Sequence, residues 1–287
     1  MQGVYTALVT PFSNGMVDYG KLEELVELQI SGGVDGIVPV GTTGESPTLS
    51  TAEHMKVIET VINKAAKRCQ IVAGTGANCT AEAIELTMAA KKAGADATLQ
   101  VTPYYNKPTQ EGLYRHFSAV ADAVGLPVML YNVPGRSGVP IAIDTIARLS
   151  SNSNVVAVKE AGGTADRVSQ ILDACDIAVL SGDDSLTLPM MAVGATGIVS
   201  VASNIIPGQI KAMCDAFAAG DIATAMQIHR KYYCLFRDMF VETNPVPVKA
   251  AMAMLGMIEE EYRLPLCEIS AGGREVLKAC MKKCGLI

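Results

Sequence analysis

The sequence predicts an α/β protein: a (β/α)8 TIM barrel over residues 1–220, followed by a C-terminal helical appendage over residues 221–287. Three observations carry this. Eight short apolar segments alternate with segments of helical periodicity, which implies right-handed βαβ crossovers and a parallel sheet. The apolar segments lack polar alternation, as expected of strands covered on both faces. Eight such units fit within about 200 residues, which favours closure into a barrel, and no Gly-x-Gly-x-x-Gly follows the first strand to suggest a dinucleotide fold.

In chain order, residues 3–9 form the first strand. A helix follows with Leu22, Leu25, Val26 and Ile30 on one face and Glu23, Glu24 and Glu27 on the other, ended by Gly32-Gly33. Residues 35–40 are the second strand. Ser50-Thr51-Ala52-Glu53 has the form of a capping box and opens a helix that turns Ile58, Val61, Ile62 and Ala65 inward. Strands at 70–73, 97–101, 127–131, 155–159, 177–180 and 197–200 then alternate with helices at 80–93, 109–124, 141–149, 165–174 and 185–193. From Pro207 onward strands cease. Helices near 210–219, 222–240, 246–255 and 268–284 are broken at Gly220-Asp221, Asn244-Pro245 and Arg263-Leu264-Pro265. The first of these serves as the eighth barrel helix; the others read as a packing or oligomer surface rather than a catalytic part.

Hydrophobic residues make up 49% and charged residues 18% of the chain, so a large core is available and long disorder is not expected. Lys and Arg number 23 against 29 Asp and Glu, with no basic cluster, which argues against a nucleic-acid surface. No apolar run reaches the length of a membrane span, and the N-terminus lacks a basic region followed by an apolar stretch, so a cytoplasmic protein is expected. The eight cysteines contain no C-x-x-C, and the three histidines are scattered. Cys280 and Cys284 lie one helical turn apart with no second pair or histidine nearby in sequence. Reduced, mostly buried thiols and no metal site are expected.

Chemistry in a barrel collects where strands end and βα loops begin. The strand ends here carry Thr42, Thr43 and Glu45, then Thr75, Tyr104 and Tyr105, Tyr131, Lys159, Gly182-Asp183 and Ser200. Lys159 ends the apolar run Val155-Val156-Ala157-Val158. It either marks where a strand meets water or sits in an apolar pocket, where a neutral amine is a nucleophile toward carbonyl carbon. Tyr131, one unit earlier, can donate and accept protons beside it. Gly41-Thr42-Thr43-Gly44 is either a plain turn or a set of hydroxyl and N–H donors for a small carboxylate. Arg136 is either a surface residue or a fork for a second carboxylate. Asp183-Asp184 reads mainly as a helix cap, and two carboxylates there would repel phosphate, so the substrate expected is an oxo acid or carboxylate.

Several ordered motifs give the chain a family resemblance. They are Thr6-Ala7-Leu8-Val9-Thr10-Pro11-Phe12, Gly41-Thr42-Thr43-Gly44-Glu45-Ser46, Ala73-Gly74-Thr75-Gly76-Ala77-Asn78, Thr102-Pro103-Tyr104-Tyr105-Asn106-Lys107-Pro108, Tyr131-Asn132-Val133-Pro134-Gly135-Arg136, Val158-Lys159-Glu160-Ala161 and Ser181-Gly182-Asp183-Asp184. Over nearly its whole length the chain resembles the pyruvate-dependent class I aldolases, the family that also contains N-acetylneuraminate lyase. The Asn-Val-Pro-Gly-Arg and Tyr-Tyr-Asn-Lys-Pro stretches resemble the branch that condenses pyruvate with L-aspartate 4-semialdehyde.

The resemblance implies that Lys159 forms a Schiff base with pyruvate and that no separate cofactor is needed. It implies Tyr131 as proton donor and acceptor, and Thr42 as a link to Tyr105, which a second subunit supplies across a tight dimer interface. Thr43, Val199 and Gly182 are implied at the pyruvate pocket, and Arg136 at the carboxylate of the aldehyde. A tetramer of tight dimers is the implied assembly. An inhibitory L-lysine site is implied at Ser46, Pro47, Leu49, His54, Asn78, Glu82 and Tyr104, although Thr51 stands where strongly inhibited members carry histidine. Two alternatives remain: an aldolase acting on a sialic acid or 2-keto-3-deoxy sugar acid, and a non-catalytic oxo-acid or amino-acid sensor.

Overall fold

The computed structural model describes all residues, 1–287. Eight parallel strands close into a barrel: β1 (Gly3–Ala7), β2 (Gly36–Val38), β3 (Gln70–Gly74), β4 (Ala97–Val101), β5 (Val128–Asn132), β6 (Val155–Glu160), β7 (Ala178–Ser181) and β8 (Gly197–Ser200). β1 pairs with both β2 and β8, which completes the ring. Side-chain parity divides each strand. Met129, Tyr131, Ala157, Leu180 and Val199 belong to a cluster filling the barrel interior, whereas Leu130, Val158 and Val179 pack outward against helices. A one-residue shift would invert these roles.

The surrounding helices are α1 (Tyr19–Ser31), α2 (Thr51–Ala65), α3 (Thr80–Ala93), α4 (Gln110–Val124), α5 (Ile143–Ser150), α6 (Asp166–Ala174), α7 (Thr187–Ala192) and α8 (Pro207–Ala218). α2 begins with the expected capping box: the Glu53 N–H donates to the Ser50 hydroxyl, and the Ser50 N–H donates to the Glu53 carboxylate. The second strand is shorter than expected and stops at Val38. Pro39 cannot donate to a ladder, and Val40 adopts a left-handed φ of 54° that turns the chain away. A two-residue antiparallel pair, Phe12–Ser13 with Met16–Val17, was also not expected. Its turn is Asn14-Gly15, both at positive φ, which is a hairpin signal.

Three further helices, α9 (Ile222–Asp238), α10 (Val246–Met254) and α11 (Ala271–Cys284), follow the barrel. They share one core with it: Leu22, Ile58 and Ile210 belong to the same buried cluster as Leu235, Met252 and Leu277. No helix is long and apolar enough to cross a membrane.

Candidate active site

β5 and β6 pair in register so that Tyr131 lies opposite Lys159, and both side chains face the barrel interior near the C-terminal ends of their strands. Lys159 is only 6% exposed, and its Nζ sits 4.2 Å from the centre of the Tyr131 ring. The ring face offers negative potential to a cation there. Of the two readings of Lys159, the solvent-marking one is excluded by this burial.

The next residue on each strand points the other way and locks the pair. The Asn132 amide donates to both oxygens of Glu160, at 2.8 and 3.0 Å, while its own oxygen accepts the Ile141 N–H at 2.9 Å. Glu160 is fully buried and pairs with Arg167 at 3.1 Å. Gly182 lies under the lysine stem: a Cβ there would come within 3.2 Å of Lys159 Cε and 2.8 Å of Ala161 Cβ.

Lys159, Tyr131, Thr43, Arg136, Gly182 and Asn244 line a cavity of about 460 Å³. An adjoining cavity of about 210 Å³ shares Tyr131, Val133 and Arg136 and adds Thr42, Ser46, Pro47 and Tyr104. Thr42 is therefore half-buried on a wall common to the Tyr131 face, and Arg136 is exposed at the junction, its guanidinium donating to the Asn244 carbonyl at 3.1 Å. Val199 lies deeper, 1% exposed in the interior cluster; Val201, beyond the end of β8, lines the cavity instead. Tyr105 is 91% exposed at a positive φ of 73° and lines neither cavity.

The remaining strand-end residues separate into two groups. Asp183 caps the turn that follows it, accepting the Ser185 N–H at 2.8 Å. Asp184 departs from the capping expectation. It is buried and accepts from the Ser200 hydroxyl at 2.5 Å and from the N–H groups of Val201 and Ala202, tying the loops after β7 and β8 together. Burial pushes its carboxyl up to about 6 against the opposing pull of those donors. Thr75 is likewise structural, in a buried group with Thr87, Thr98 and Gln100.

Of the residues expected to hold an amino acid, Ser46, Pro47 and Tyr104 line the smaller cavity. Asn78 donates to the Tyr104 carbonyl at 3.2 Å. Burial and then the Glu82 carboxylate raise the Tyr104 phenol. Leu49 packs half-buried on the main core. His54 is buried with Nε2 2.8 Å from the Gly74 carbonyl, and burial lowers its pKa.

The C-terminal region, expected to be a packing or oligomer surface, also reaches the site. Phe240, Thr243 and Asn244 line the lysine cavity, and the Asn244 amide donates to the Thr43 hydroxyl at 2.9 Å. Two residues past Thr43, Glu45 pairs with Lys249 of α10 at 2.5 Å, both side chains fully buried. Burial lowers the Lys249 pKa, while the Glu45 charge opposes that shift.

The dihydrodipicolinate synthetase family model matches residues 1–284. The chain belongs to the dihydrodipicolinate synthetase family. Among members of that family, the chain is 54% identical to 4-hydroxy-tetrahydrodipicolinate synthase of Geobacter metallireducens, covering 100% of this chain and 99% of that one. The structure of the synthase from Methylacidiphilum fumariolicum SolV superposes with a TM-score of 0.98 at 52% identity, covering 99% and 96% of the two chains. A further dihydrodipicolinate synthase structure, from Cyanidioschyzon merolae with lysine bound, gives a TM-score of 0.96 at 44% identity over 100% and 99%. Membership in the dihydrodipicolinate synthetase family fits a barrel in which Lys159, buried in the interior, stands beside Tyr131 at the strand ends.

Proposed function

We propose that this chain catalyses the 4-hydroxy-tetrahydrodipicolinate synthase reaction: condensation of pyruvate with L-aspartate 4-semialdehyde, the first committed step of lysine and diaminopimelate biosynthesis, in the cytoplasm. The observation that carries the reading is the Lys159 amine, buried against Tyr131 in a cavity that also presents Arg136 and Thr43. Lys159 Nζ attacks the ketone carbon of pyruvate and water leaves, giving an imine on the chain itself with no added cofactor. The protonated imine keeps a positive charge near the Tyr131 ring face. Loss of a methyl proton gives the enamine, whose carbon attacks the aldehyde, and the new alkoxide takes up a proton. The substrate amine then attacks the imine carbon, and Lys159 leaves as the ring closes.

Tyr131 is the proton carrier in this scheme, with Thr42 on the same cavity wall. Thr43, oriented by Asn244, receives the pyruvate carboxylate, with Gly182 leaving room beside the lysine stem and Val199 backing the pocket. Arg136 receives the carboxylate of the aldehyde in a bidentate pair. Tyr105, exposed in the single chain, completes the proton path from a second copy, which makes a tight dimer, paired into a tetramer, the working form. Replacing Arg136 with Ala tests the substrate assignment. Borohydride trapping of pyruvate stays intact while kcat/KM for the aldehyde falls about a hundredfold, the scale of about 3 kcal/mol for a lost charged hydrogen bond. An unchanged kcat/KM contradicts the assignment and favours a sugar-acid aldolase.

L-lysine is the proposed inhibitor, held by Ser46, Pro47 and Tyr104 of the smaller cavity together with Leu49, His54, Asn78 and Glu82. Glu82 supplies charge for its ammonium groups and Tyr104 a ring face.

A further inference from the structure

Away from the barrel mouth, α9 and α11 bring three thiols together. Cys280 and Cys284 lie one turn apart on α11 and face Cys234 of α9; all three Sγ atoms lie within 4.8 Å of one another. Cys234 and Cys284 are 3.5 Å apart, and all three residues are buried. No histidine or carboxylate belongs to this cluster. We propose that Cys234, Cys280 and Cys284 form a three-thiol site for a trivalent thiophilic metalloid, with arsenite as its representative ligand.

Geometry and charge both select this class. With sulfur bonds of about 2.3 Å, as at zinc sites, a three-coordinate centre needs sulfurs about 3.4–4.0 Å apart. The Cys234–Cys284 separation already meets that, and Cys280 needs only a small side-chain adjustment. A monovalent or divalent cation on three thiolates would leave net negative charge in an apolar core, at high desolvation cost. Arsenite avoids the problem. As(OH)3 and three S–H groups give a neutral As(S-Cys)3 and three waters: three As–O bonds are replaced by three As–S bonds, and no oxidation state changes. Access is local, because α11 ends at Cys284 and Gly285 caps it in a left-handed conformation. Fraying of that last turn exposes the cluster.

The test uses the full-length chain, reduced and then treated with sodium arsenite. Native mass spectrometry is expected to show one arsenic replacing three hydrogens, and X-ray absorption three sulfur neighbours with no oxygen. Cys234→Ala, Cys280→Ala and Cys284→Ala each weaken arsenite binding about a hundredfold, through loss of one intramolecular ring closure. Cys267→Ala, at an exposed thiol, leaves it unchanged. Two sulfurs and an oxygen on arsenic, undiminished binding by Cys280→Ala, or loss of binding in Cys267→Ala each overturn the proposal. If a core variant fails to fold, the absorption spectrum of the unsubstituted protein decides.

Discussion

Replacing Lys249 with Met leaves the Glu45 carboxylate buried without its ion-pair partner. The pair is 2.5 Å long with both side chains fully buried, and the Lys249 ammonium also stands 4.2 Å from the Phe12 ring. At an effective dielectric of about 20, the attraction at that distance is about 7 kcal/mol. Desolvation of several kcal/mol per ion offsets most of it, so the intact pair contributes little net stability. Breaking it is different: the remaining charge keeps its desolvation penalty and loses the attraction, at a cost of about 3–5 kcal/mol. Glu45 retains only a long contact from the Arg263 N–H, at 3.4 Å. Urea unfolding followed by circular dichroism is therefore expected to show that loss in Lys249→Met. The double variant Glu45→Gln/Lys249→Met should lose less than either single change. Because Glu45 and Asn244 hold opposite ends of the contact between the Thr43 turn and α10, the single variant should also raise KM for pyruvate. A loss below about 1 kcal/mol in the single variant, or an additive double variant, would refute the reasoning.

Two further outcomes follow from the site. Asp184 is raised in the folded state to about 6, so the native protein holds its proton more tightly than the unfolded chain; this contribution is fully present below about pH 4 and is lost as pH rises through 6. Asp184→Asn mimics the protonated form, because its amide donates to Ser200 while its oxygen accepts from Val201 and Ala202. Unfolding free energy measured from pH 4 to 7 should lose this falling component in the variant, and an unaltered profile contradicts the assignment. Initial rates titrated with millimolar L-lysine should fall in the native chain and recover in Glu82→Ala; no inhibition in the native chain removes the proposed inhibitor site.

The barrel was legible because its evidence is local and repeated: apolar runs, helical periodicity and a Ser50–Glu53 capping box all act within one or two turns of chain. Lys159 and Tyr131 were legible for the same reason, since strand parity aligns them once the strands are counted. What escaped depends on contacts across the whole chain. Asn244 is 201 residues from Thr43, and Lys249 is 204 from Glu45, so no window of sequence reveals either partner. The third thiol facing Cys280 and Cys284 comes from another helix, 50 residues before Cys284. Asp184 reads as a helix cap and Ser200 as part of a polar rim, and only the folded loops show that they satisfy each other. Asn14-Gly15 is the exception, a hairpin turn whose signal is itself local. Tyr105 remains outside the single-chain site because the contact proposed for it belongs to a second copy.

The central claim is that Lys159 is the covalent nucleophile. Incubating the protein with pyruvate, reducing with borohydride and mapping peptides by mass spectrometry tests it directly. The account predicts one pyruvate-derived adduct per chain, on Lys159, and none in Lys159→Ala. An adduct on another lysine, or no adduct at all in the native chain, would contradict it.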